Sequence, residues 1–407
     1  MISFEAAYRM IREQAQPLAA VQLPLLSCRE LVLGEDVHAP CDLPRFDSTA
    51  VDGFAVKLHD VETATPSTPV RLPISRTMQA GQFTTDELRA GTAWRVLTGA
   101  ALPKSVEAVV MQEFTTPEQD AVVILRAARP GEHIRRAGEE CRASAPLLAR
   151  GTPVTPPITG LLSTLGLAAA TVIPAPRVTL IITGDELRPV GQPLEPGLIH
   201  DSNGPALSHA LTRLGVQQLH VANCRDDRAA TLQVLRAAIG DSDLVVTVGG
   251  ASVGQFDFVA DALRELGVQL HYQSIAIKPG KPNLFGTIRH ADRDVLIFGL
   301  PGNPVSALLS FQLLVRPAIR ILMARTDTDT TFVSAVLSKD LKKKPGRLEF
   351  VRVALQRRDE RWIATPTTGQ DSHMLSGLSS AHGLLRFPPP DDLLPADSVV
   401  QVELLAW

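Results

Sequence analysis

Aromatic residues are scarce in this sequence, 4% of 407 residues, and the shortage removes one class of function. A surface that stacks nucleic-acid bases needs rings to stack them on. Charge of one sign is lacking as well. The formal net charge is -3, so there is no electrostatic case for nucleic acid as the main partner. Cysteine is rare and scattered, at Cys28, Cys41, Cys141 and Cys224. No two of these stand at zinc-ligand spacing, and no HExxH-type helix pairs any of the ten histidines. Each cysteine reads as a small buried hydrophobe with a reduced thiol. The longest apolar stretch, near 161–173, is interrupted by Ser163, Thr164 and Gly166. It falls short of the roughly 20 apolar residues that a membrane-spanning helix needs. The opening Met1-Ile2-Ser3-Phe4-Glu5 has neither the basic start nor the apolar core of a signal peptide. The expectation is a cytoplasmic protein with no membrane partner.

What is present is the composition of an ordinary globular protein, 45% hydrophobic and 20% charged, with a length that suggests about two to four domains. Ser3 can cap a first helix with Phe4, Ala7, Tyr8 and Ile11 on its apolar face. Residues 23–44 are irregular and punctuated by proline. Short β-like runs follow from about 51 to 134, among them 108–111 and 121–125, between turns rich in Gly, Pro and Thr. Residues 138–176 are proline-rich again, around one helix near 157–167. At 177 the rhythm changes to strands alternating with helices. Strands are predicted at 178–182, 218–222 and 244–248, with two or three more in 268–277, 283–287 and 295–298. Helices are predicted from a cap near Asp201 or Ser202 to Gly215, and at 228–239, 258–266 and 304–322. Nearly continuous apolar strands between such helices predict an α/β domain with a doubly wound, mostly parallel sheet covered on both faces. After about 326 the pattern is β once more, at 332–337, 348–355, 362–365 and 399–405, with one short helix near Ser372. This predicts a small β-barrel or sandwich.

The unusual residues of the α/β segment follow its strands. After the first come Thr183-Gly184-Asp185-Glu186, and after the second Arg225-Asp226-Asp227. After the third come Gly249-Gly250-Ala251-Ser252-Val253-Gly254, then Asp257. After the fourth come Lys278-Pro279-Gly280-Lys281-Pro282, and after the last Gly299-Leu300-Pro301-Gly302-Asn303-Pro304-Val305-Ser306. In open α/β sheets ligands bind outside the carboxyl ends of the strands, so parallel strands would gather all five loops at one edge. Glycine loops before helices let backbone N–H groups approach phosphate oxygens. Lys278 and Lys281 add positive charge for an anion. Asp185, Glu186, Asp226 and Asp257 would repel that anion unless a hard cation lies between, and Mg²⁺ is the natural choice. The loops thus predict an anionic phosphate ligand with Mg²⁺.

Taken singly, each cluster has a plainer explanation. An Asp after a strand is commonly a helix cap, Lys-Pro-Gly a turn, and Gly249-Gly250 a tight strand-to-helix connection. Joint placement is what favours a site. Gly250-Ala251-Ser252-Val253-Gly254 also fits G-x-S-x-G, the nucleophile elbow of α/β-hydrolases. A triad needs a downstream acid and a histidine, and Asp257, Asp292 and His373 have no distinctive setting, so the hydrolase reading ranks well behind.

In this order the loops resemble the molybdopterin molybdenumtransferases, the family of bacterial MoeA and the gephyrin E-domain. The resemblance extends through Phe46-Asp47-Ser48-Thr49-Ala50-Val51-Asp52-Gly53-Phe54-Ala55-Val56, Leu97-Thr98-Gly99-Ala100, Arg135-Arg136-Ala137-Gly138-Glu139-Glu140, Pro345-Gly346-Arg347 and Gln370-Asp371-Ser372. It implies an elongated homodimer of four-part protomers. The parts would be an N-terminal linker domain (1–45 plus 137–176), an inserted β-rich domain (46–136), an α/β pterin-binding domain (177–326) and a C-terminal β-barrel (327–407). It implies Mg²⁺-dependent insertion of molybdate into adenylylated molybdopterin, yielding molybdenum cofactor and AMP. An adenylyltransferase would stand upstream and molybdoenzyme apo-proteins downstream.

By the same resemblance, Asp185, Glu186, Asp226 and Asp257 would hold Mg²⁺ and the adenylylated pterin. Thr183, Gly184, Gly249, Gly250, Ser252, Pro301 and Asn303 would line the substrate site. Lys278, Lys281, Ser306, Arg347 and Ser372 would form the molybdate pocket. Asp52, Thr98 and the segment 135–140, with Glu140 at the substrate, would arrive from the other subunit. Lys278, Lys281, Asp257 and Asp52 would carry the catalysis. Two positions depart from the family pattern: Glu140 stands where Asp is common, and Ser274 where a lysine is common. The first keeps its charge with a longer reach and the second loses a cation. A dimeric scaffold is the non-enzymatic alternative, and retention of both lysines and the acidic loops argues against it. The adenylyltransferase step is the other enzymatic one, and the extra N- and C-terminal domains argue against that.

Overall fold

The computed structural model describes residues 1–250, 258–326, 330–405 and 407, so Ser252 and Asp257 lie outside the described residues. The chain forms two compact units. One comprises Met1–Gly34, Pro153–Pro156 and Ala169–Trp407, the other Glu35–Thr152 and Pro157–Ala168.

A six-stranded sheet lies at the centre of the first unit. Its strands are β1 (Val178–Thr183), β2 (Leu219–Cys224), β3 (Leu244–Val248), β4 (Gln269–Ser274), β5 (Pro282–His290) and β6 (Arg293–Leu300), in the order β2-β1-β3-β6-β5-β4. The four strands β2, β1, β3 and β6 are mutually parallel. Every residue of β1 and of β3 is buried, as expected of strands covered on both faces. On one face Ile181, Val245 and Ile297 pack with Leu235, Ile239 and Leu263 of the helices Arg228–Asp241 and Val259–Glu265. The helices Asn203–Arg213 and Pro304–Ser310 pack together against the other face. The helix starts as its sequence suggests: the Asp201 carboxylate accepts from the Gly204 N–H at 2.9 Å, and past its end Gly215 adopts φ +92°.

One margin of the sheet departs from the parallel expectation. β5 runs antiparallel to both β6 and β4. Only Ala291 and Asp292 separate β5 from β6, too few residues for the crossover that parallel pairing requires. Reversing β5 leaves the loop between β4 and β5 at the carboxyl edge of the parallel strands. All five polar loops therefore share that edge.

The helix expected near 157–167 is Pro156–Thr164, and the apolar stretch at 161–173 runs from it into strand Ala169–Ile173; the long apolar helix among the described residues lies elsewhere. It is Pro304–Leu322, long and apolar enough by length and composition to cross a membrane, yet 89% buried inside the protein. Its middle, Phe311–Val315, is a π-turn.

The C-terminal part is a closed five-stranded barrel. Strand Leu348–Arg358 pairs with Arg361–Pro366 on one side and Gly383–Phe387 on the other, and Phe332–Leu337 and Val399–Leu404 complete the ring. Leu337, Val353, Ala364, Leu385 and Val402 fill its interior. The short strand Ile277–Lys278 adds to the barrel in parallel beside Leu348 and Glu349. The helix expected near Ser372 begins only at Leu375. At the N-terminus the Ser3 hydroxyl caps helix Phe4–Gln14 by accepting from the Ala6 N–H at 3.1 Å, and Phe4, Ala7 and Ile11 are buried. Tyr8 is half-buried.

In the second unit a six-stranded sheet has Gly53–Val56 as its second strand, between the edge strand Ala108–Met111 and Ala93–Val96. Alternate residues enter different apolar clusters: Phe54, Val56 and Val110 one, Ala55, Val109 and Trp94 the other. This period of two explains why these strands read as continuous apolar runs. A Cβ on Gly53 would lie 2.1 Å from the Val110 carbonyl oxygen. The substitution Gly53→Ala should therefore destabilise this unit by more than about 2 kcal/mol, read as a lower urea midpoint of the purified variant. An unchanged midpoint would show that the strands can part at no cost.

Candidate active site

Strand register sets the level at which the site begins. Ile182 pairs with Val248, and Val248 with Leu300, so β1, β3 and β6 end side by side. The loops that leave them are crowded. Gly249 has φ +85°, and a Cβ there would lie 2.5 Å from the Thr183 hydroxyl oxygen and 2.8 Å from its carbonyl oxygen. Gly250 has φ +60°, and its Cβ would meet Val259 Cγ2 at 2.8 Å. Glycine is required at both positions. The Thr183 hydroxyl donates to the Val248 carbonyl at 3.1 Å, and the Gly249 N–H to the Leu300 carbonyl at 3.2 Å.

A cavity of about 570 Å³ opens beside these loops, walled in part by Thr183, Gly184, Glu186, Asp226, Gly249, Gly250 and Asn303. That volume is in the range of small-molecule sites. The Asp185 N–H donates to Asp226 Oδ2 and the Asp226 N–H to Asp185 Oδ1, each at 3.4 Å, so the two carboxylates lie side by side. The Glu186 carboxylate folds back over Gly184, where an added Cβ would lie 2.7 Å from Glu186 Oε2. Among the described residues no three potential ligands cluster. The donor set is thus two adjacent carboxylates, all oxygen, and Mg²⁺ characteristically binds one or two carboxylates and completes its shell with phosphate and water. Asp227, the next residue, is the cap of helix Arg228–Asp241, accepting from the Ala230 N–H at 2.8 Å.

Asn203 was not singled out in the sequence, where Asp201-Ser202-Asn203 reads only as a helix start. It is buried at the cavity wall and donates from Nδ2 to the Gly302 carbonyl at 2.7 Å. This bond fixes the loop that follows β6.

The lysine loop lies at the same edge. Buried Asn283 holds it by donating from Nδ2 to the Gly280 carbonyl at 2.5 Å and to Ser310 Oγ at 2.9 Å. The Ile275 N–H closes it on the Lys281 carbonyl at 3.0 Å. Lys278 Nζ forms an ion pair with Glu349 Oε1 of the barrel at 3.0 Å. Arg347 Nη1 donates to the Ile277 carbonyl at 3.3 Å. Ser372 reaches the loop after β6: its Oγ accepts from Asn303 Nδ2 at 3.1 Å and its carbonyl from the Val305 N–H at 3.1 Å. Ser306 is buried in the first turns of helix Pro304–Ser310. The structure thus brings Lys278 and Arg347 to one junction with the barrel, Ser372 to another, and Asn303 to both Ser372 and the cavity wall.

In the second unit, the three segments picked out at the sequence level knit together. Asp52 Oδ1 accepts from the Thr98 N–H at 2.7 Å and from the Thr98 hydroxyl at 2.6 Å. These bonds from Thr98 hold the Asp52 carboxyl below its ordinary range, with a smaller contribution from the Arg95 charge. Arg135 pairs with Ser48 across a two-residue ladder. Asp47 accepts from the Ala137 N–H at 2.8 Å and from Arg136 Nη1 at 2.7 Å. Glu140 is exposed, and its N–H donates to the Leu43 carbonyl at 3.0 Å.

Comparison with known proteins places this geometry among relatives. Residues 2–166 match the model of the MoeA N-terminal region (domain I and II), 179–321 that of a "Probable molybdopterin binding domain", and 334–405 that of the MoeA C-terminal region (domain IV). A protein of Mycobacterium tuberculosis named molybdopterin molybdenumtransferase 2 is 36% identical over 409 residues, 99% of each chain. The molybdopterin molybdenumtransferase of Bacillus subtilis is 33% identical over 377 residues, 92% of this chain and 87% of its own. A crystal structure of the molybdopterin biosynthesis MoeA protein from Pyrococcus horikosii superposes with a TM-score of 0.83 at 30% identity, covering 100% of both chains.

The Asp52–Thr98 pair gives a pH-dependent outcome. The folded-state pKa of Asp52 is depressed, so the contribution of these bonds is present above the unfolded-state pKa and is lost as pH falls through the folded-state value. The substitution Thr98→Val should move the Asp52 pKa up toward the ordinary carboxylate value. An NMR pH titration of the Asp52 carboxyl checks this, and an unchanged midpoint would refute the assignment of cause.

Proposed function

We propose that this chain, which belongs to the MoeA family of molybdopterin molybdenumtransferases, inserts molybdate into adenylylated molybdopterin and releases molybdenum cofactor and AMP. It is an enzyme of molybdenum cofactor biosynthesis, and molybdopterin and molybdate fit the family as its substrates. The adenylylated form of the substrate, the release of AMP and the Mg²⁺ dependence are our reading. The observation that carries it is the continuity of the acidic, glycine-walled cavity with Ser372 through Asn303.

Phosphates of the pterin substrate would lie over Gly184, Gly249 and Gly250, where the absence of side chains lets oxygen atoms reach the backbone. Thr183, Glu186, Pro301 and Asn303 would complete that wall. Asp185 and Asp226, with Glu186 and Asp257, would hold Mg²⁺, which when bound neutralises charge on the phosphoanhydride and its leaving group. Lys278, Lys281, Arg347, Ser306 and Ser372 would hold the molybdate dianion close to the pterin dithiolene, converting an encounter of two solutes into a local step. Lys278 and Lys281 would also stabilise charge on the departing AMP as the phosphoanhydride bond breaks. Loss of AMP would make the step effectively irreversible.

The same proposal includes a homodimer in which Asp52, Thr98 and Glu140 of one copy complete the site of the other. An adenylyltransferase would supply the substrate and apo-molybdoenzymes would receive the product, in the cytoplasm. The test is incubation of purified protein with adenylylated molybdopterin, Mg²⁺ and molybdate, with AMP release and activation of an apo-molybdoenzyme as readouts. Lys281→Ala and Asp257→Ala should each abolish molybdenum incorporation while leaving the circular dichroism spectrum and melting temperature in place. Normal cofactor output from both variants would sink the site assignment, and absence of both products from the wild type would favour a scaffold.

A further inference from the structure

Arg352 occupies a position that an apolar side chain would fill. Alternate residues of a strand share a face, and along strand Leu348–Arg358 its companions on that face are the buried Leu348 and Phe350. Arg352 itself is 0% exposed. Its main chain stands opposite Leu384 in the barrel ladder and accepts from the Thr367 N–H at 2.9 Å, and a side chain holds it as well. Gln370 Nε2 donates to the Arg352 carbonyl at 2.9 Å, and Gln370 Oε1 accepts from the Arg352 N–H at 3.1 Å. The guanidinium grips the same segment: Nη2 donates to the Gly369 carbonyl at 2.5 Å and to the Asp371 carbonyl at 3.3 Å. Its Nε and Nη1 are buried and meet no acceptor among the described residues.

Stability alone is a poor reason for such a group. A buried charge with unmade hydrogen bonds is unfavourable, and a packed apolar residue of similar volume is commonly at least as stable. Burial pushes the Arg352 pKa down, opposed by the nearby Asp371 carboxylate. What the guanidinium does is fix the orientation of the peptides leading to Ser372. Among the described residues cis peptides occur only before Pro44 and Pro279, so the Asp371–Ser372 peptide is trans. With its carbonyl turned to Arg352, planarity turns the Ser372 N–H the opposite way. That N–H meets no acceptor among the described residues. Ser372 is meanwhile seated on Asn303 and Val305.

We propose that Arg352 is a positioning residue for the oxyanion substrate. Through the Gly369 and Asp371 carbonyls it holds the Ser372 hydroxyl and N–H in the orientation that binds a tetrahedral dianion. The inference rests on the placement of molybdate at Ser372, Arg347 and the two lysines. Arg352 acts through the loop and does not touch the anion.

The experiment measures turnover against molybdate concentration for the wild type, Arg352→Met, Arg352→Lys and Gln370→Ala, with pterin affinity and melting temperature recorded in parallel. In Arg352→Met the KM for molybdate should rise at least about tenfold while pterin affinity stays within about twofold. Arg352→Lys, which keeps the charge but not the fork, should recover part of the loss. An unchanged molybdate KM in folded Arg352→Met overturns the proposal. So does a loss of pterin affinity as large as the loss for molybdate, which would mark a merely structural role. If Arg352→Met does not fold, Gln370→Ala decides by the same criterion. If the wild type releases no AMP, the reaction reading fails on its own. Equilibrium binding of molybdate to the wild type and to Arg352→Met then decides the fate of Arg352, with equal affinities overturning the proposal.

Discussion

Main-chain hydrogen bonds between β1, β3 and β6 bring Ile182, Val248 and Leu300 to one level, and the rest of the site follows from that alignment. Loops that start at a common level compete for the same space, so the chain between them cannot carry side chains. Gly249 and Gly250 answer this constraint, since a Cβ on either would stand within 3 Å of Thr183 or Val259. The bare backbone then becomes part of the cavity wall. A register slip of one residue in β3 would bring Val248 forward to the level now taken by Gly249 and turn every β3 side chain to the opposite face. Apolar packing on both faces of the sheet makes such a slip unfavourable.

The residues that face the proposed anion are already engaged. Lys278 is paired with Glu349, Arg347 with the Ile277 carbonyl and Ser372 with Asn303. Such contacts limit the rotamers that an incoming anion would otherwise have to freeze. They are also weak enough to exchange. The Lys278 side chain is 53% exposed, and an exposed pair of this kind contributes no more than about 1 kcal/mol. Under the proposed reading a dianion could therefore displace Glu349 without a large penalty. Asn283 and Asn203 serve differently. Both are buried and bind loop carbonyls, so they set main-chain positions and not charge.

The alternation of strands and helices after residue 177 was legible because β1 and β3 are buried along their whole length and the helices Asn203–Arg213, Arg228–Asp241 and Val259–Glu265 each have exposed as well as buried positions. The loops were legible because glycine, lysine and carboxylate stood out between apolar runs. The reversed β5 was not, because an apolar strand carries no mark of its direction. The two-residue connection at Ala291-Asp292 was the available signal, and it required β6 to be extended back to Arg293. Helix Pro304–Leu322 was recognised as a helix, but Ser306, Ser310, Gln312, Arg316 and Arg320 hid its overall apolar character. Arg352 had a visible signature, a lone charge inside Phe350-Val351-Arg352-Val353, yet only tertiary contacts show that it binds the segment before Ser372. The Asp52–Thr98 bond joins residues 46 apart in sequence. A motif comparison can place both residues in one list, but strand pairing is what brings them into contact.

Ser274 shows how a departure from a family pattern can be weighed by what the main chain does at that position. The family resemblance implies a lysine there, and under the proposed reading its absence would mean a weaker hold on an anion. The Ser274 carbonyl accepts from the Ile2 N–H at 3.2 Å, Ile2 bridges Ile275 in parallel, and the Ala276 N–H donates to the Ile2 carbonyl at 2.8 Å. Ser274 also pairs with Pro282 across the lysine loop. All of these contacts are made by backbone atoms, and none depends on the side chain at 274. The start of the lysine loop is therefore clamped from both sides whatever residue stands there. What the serine changes is the local count of positive charges, which falls to Lys278, Lys281 and Arg347. One charge fewer near an oxyanion weakens attraction by an amount that grows as water is excluded. Under the proposed reading Ser372, held by Asn303, by Val305 and through its loop by Arg352, would correspondingly carry a larger share of the recognition.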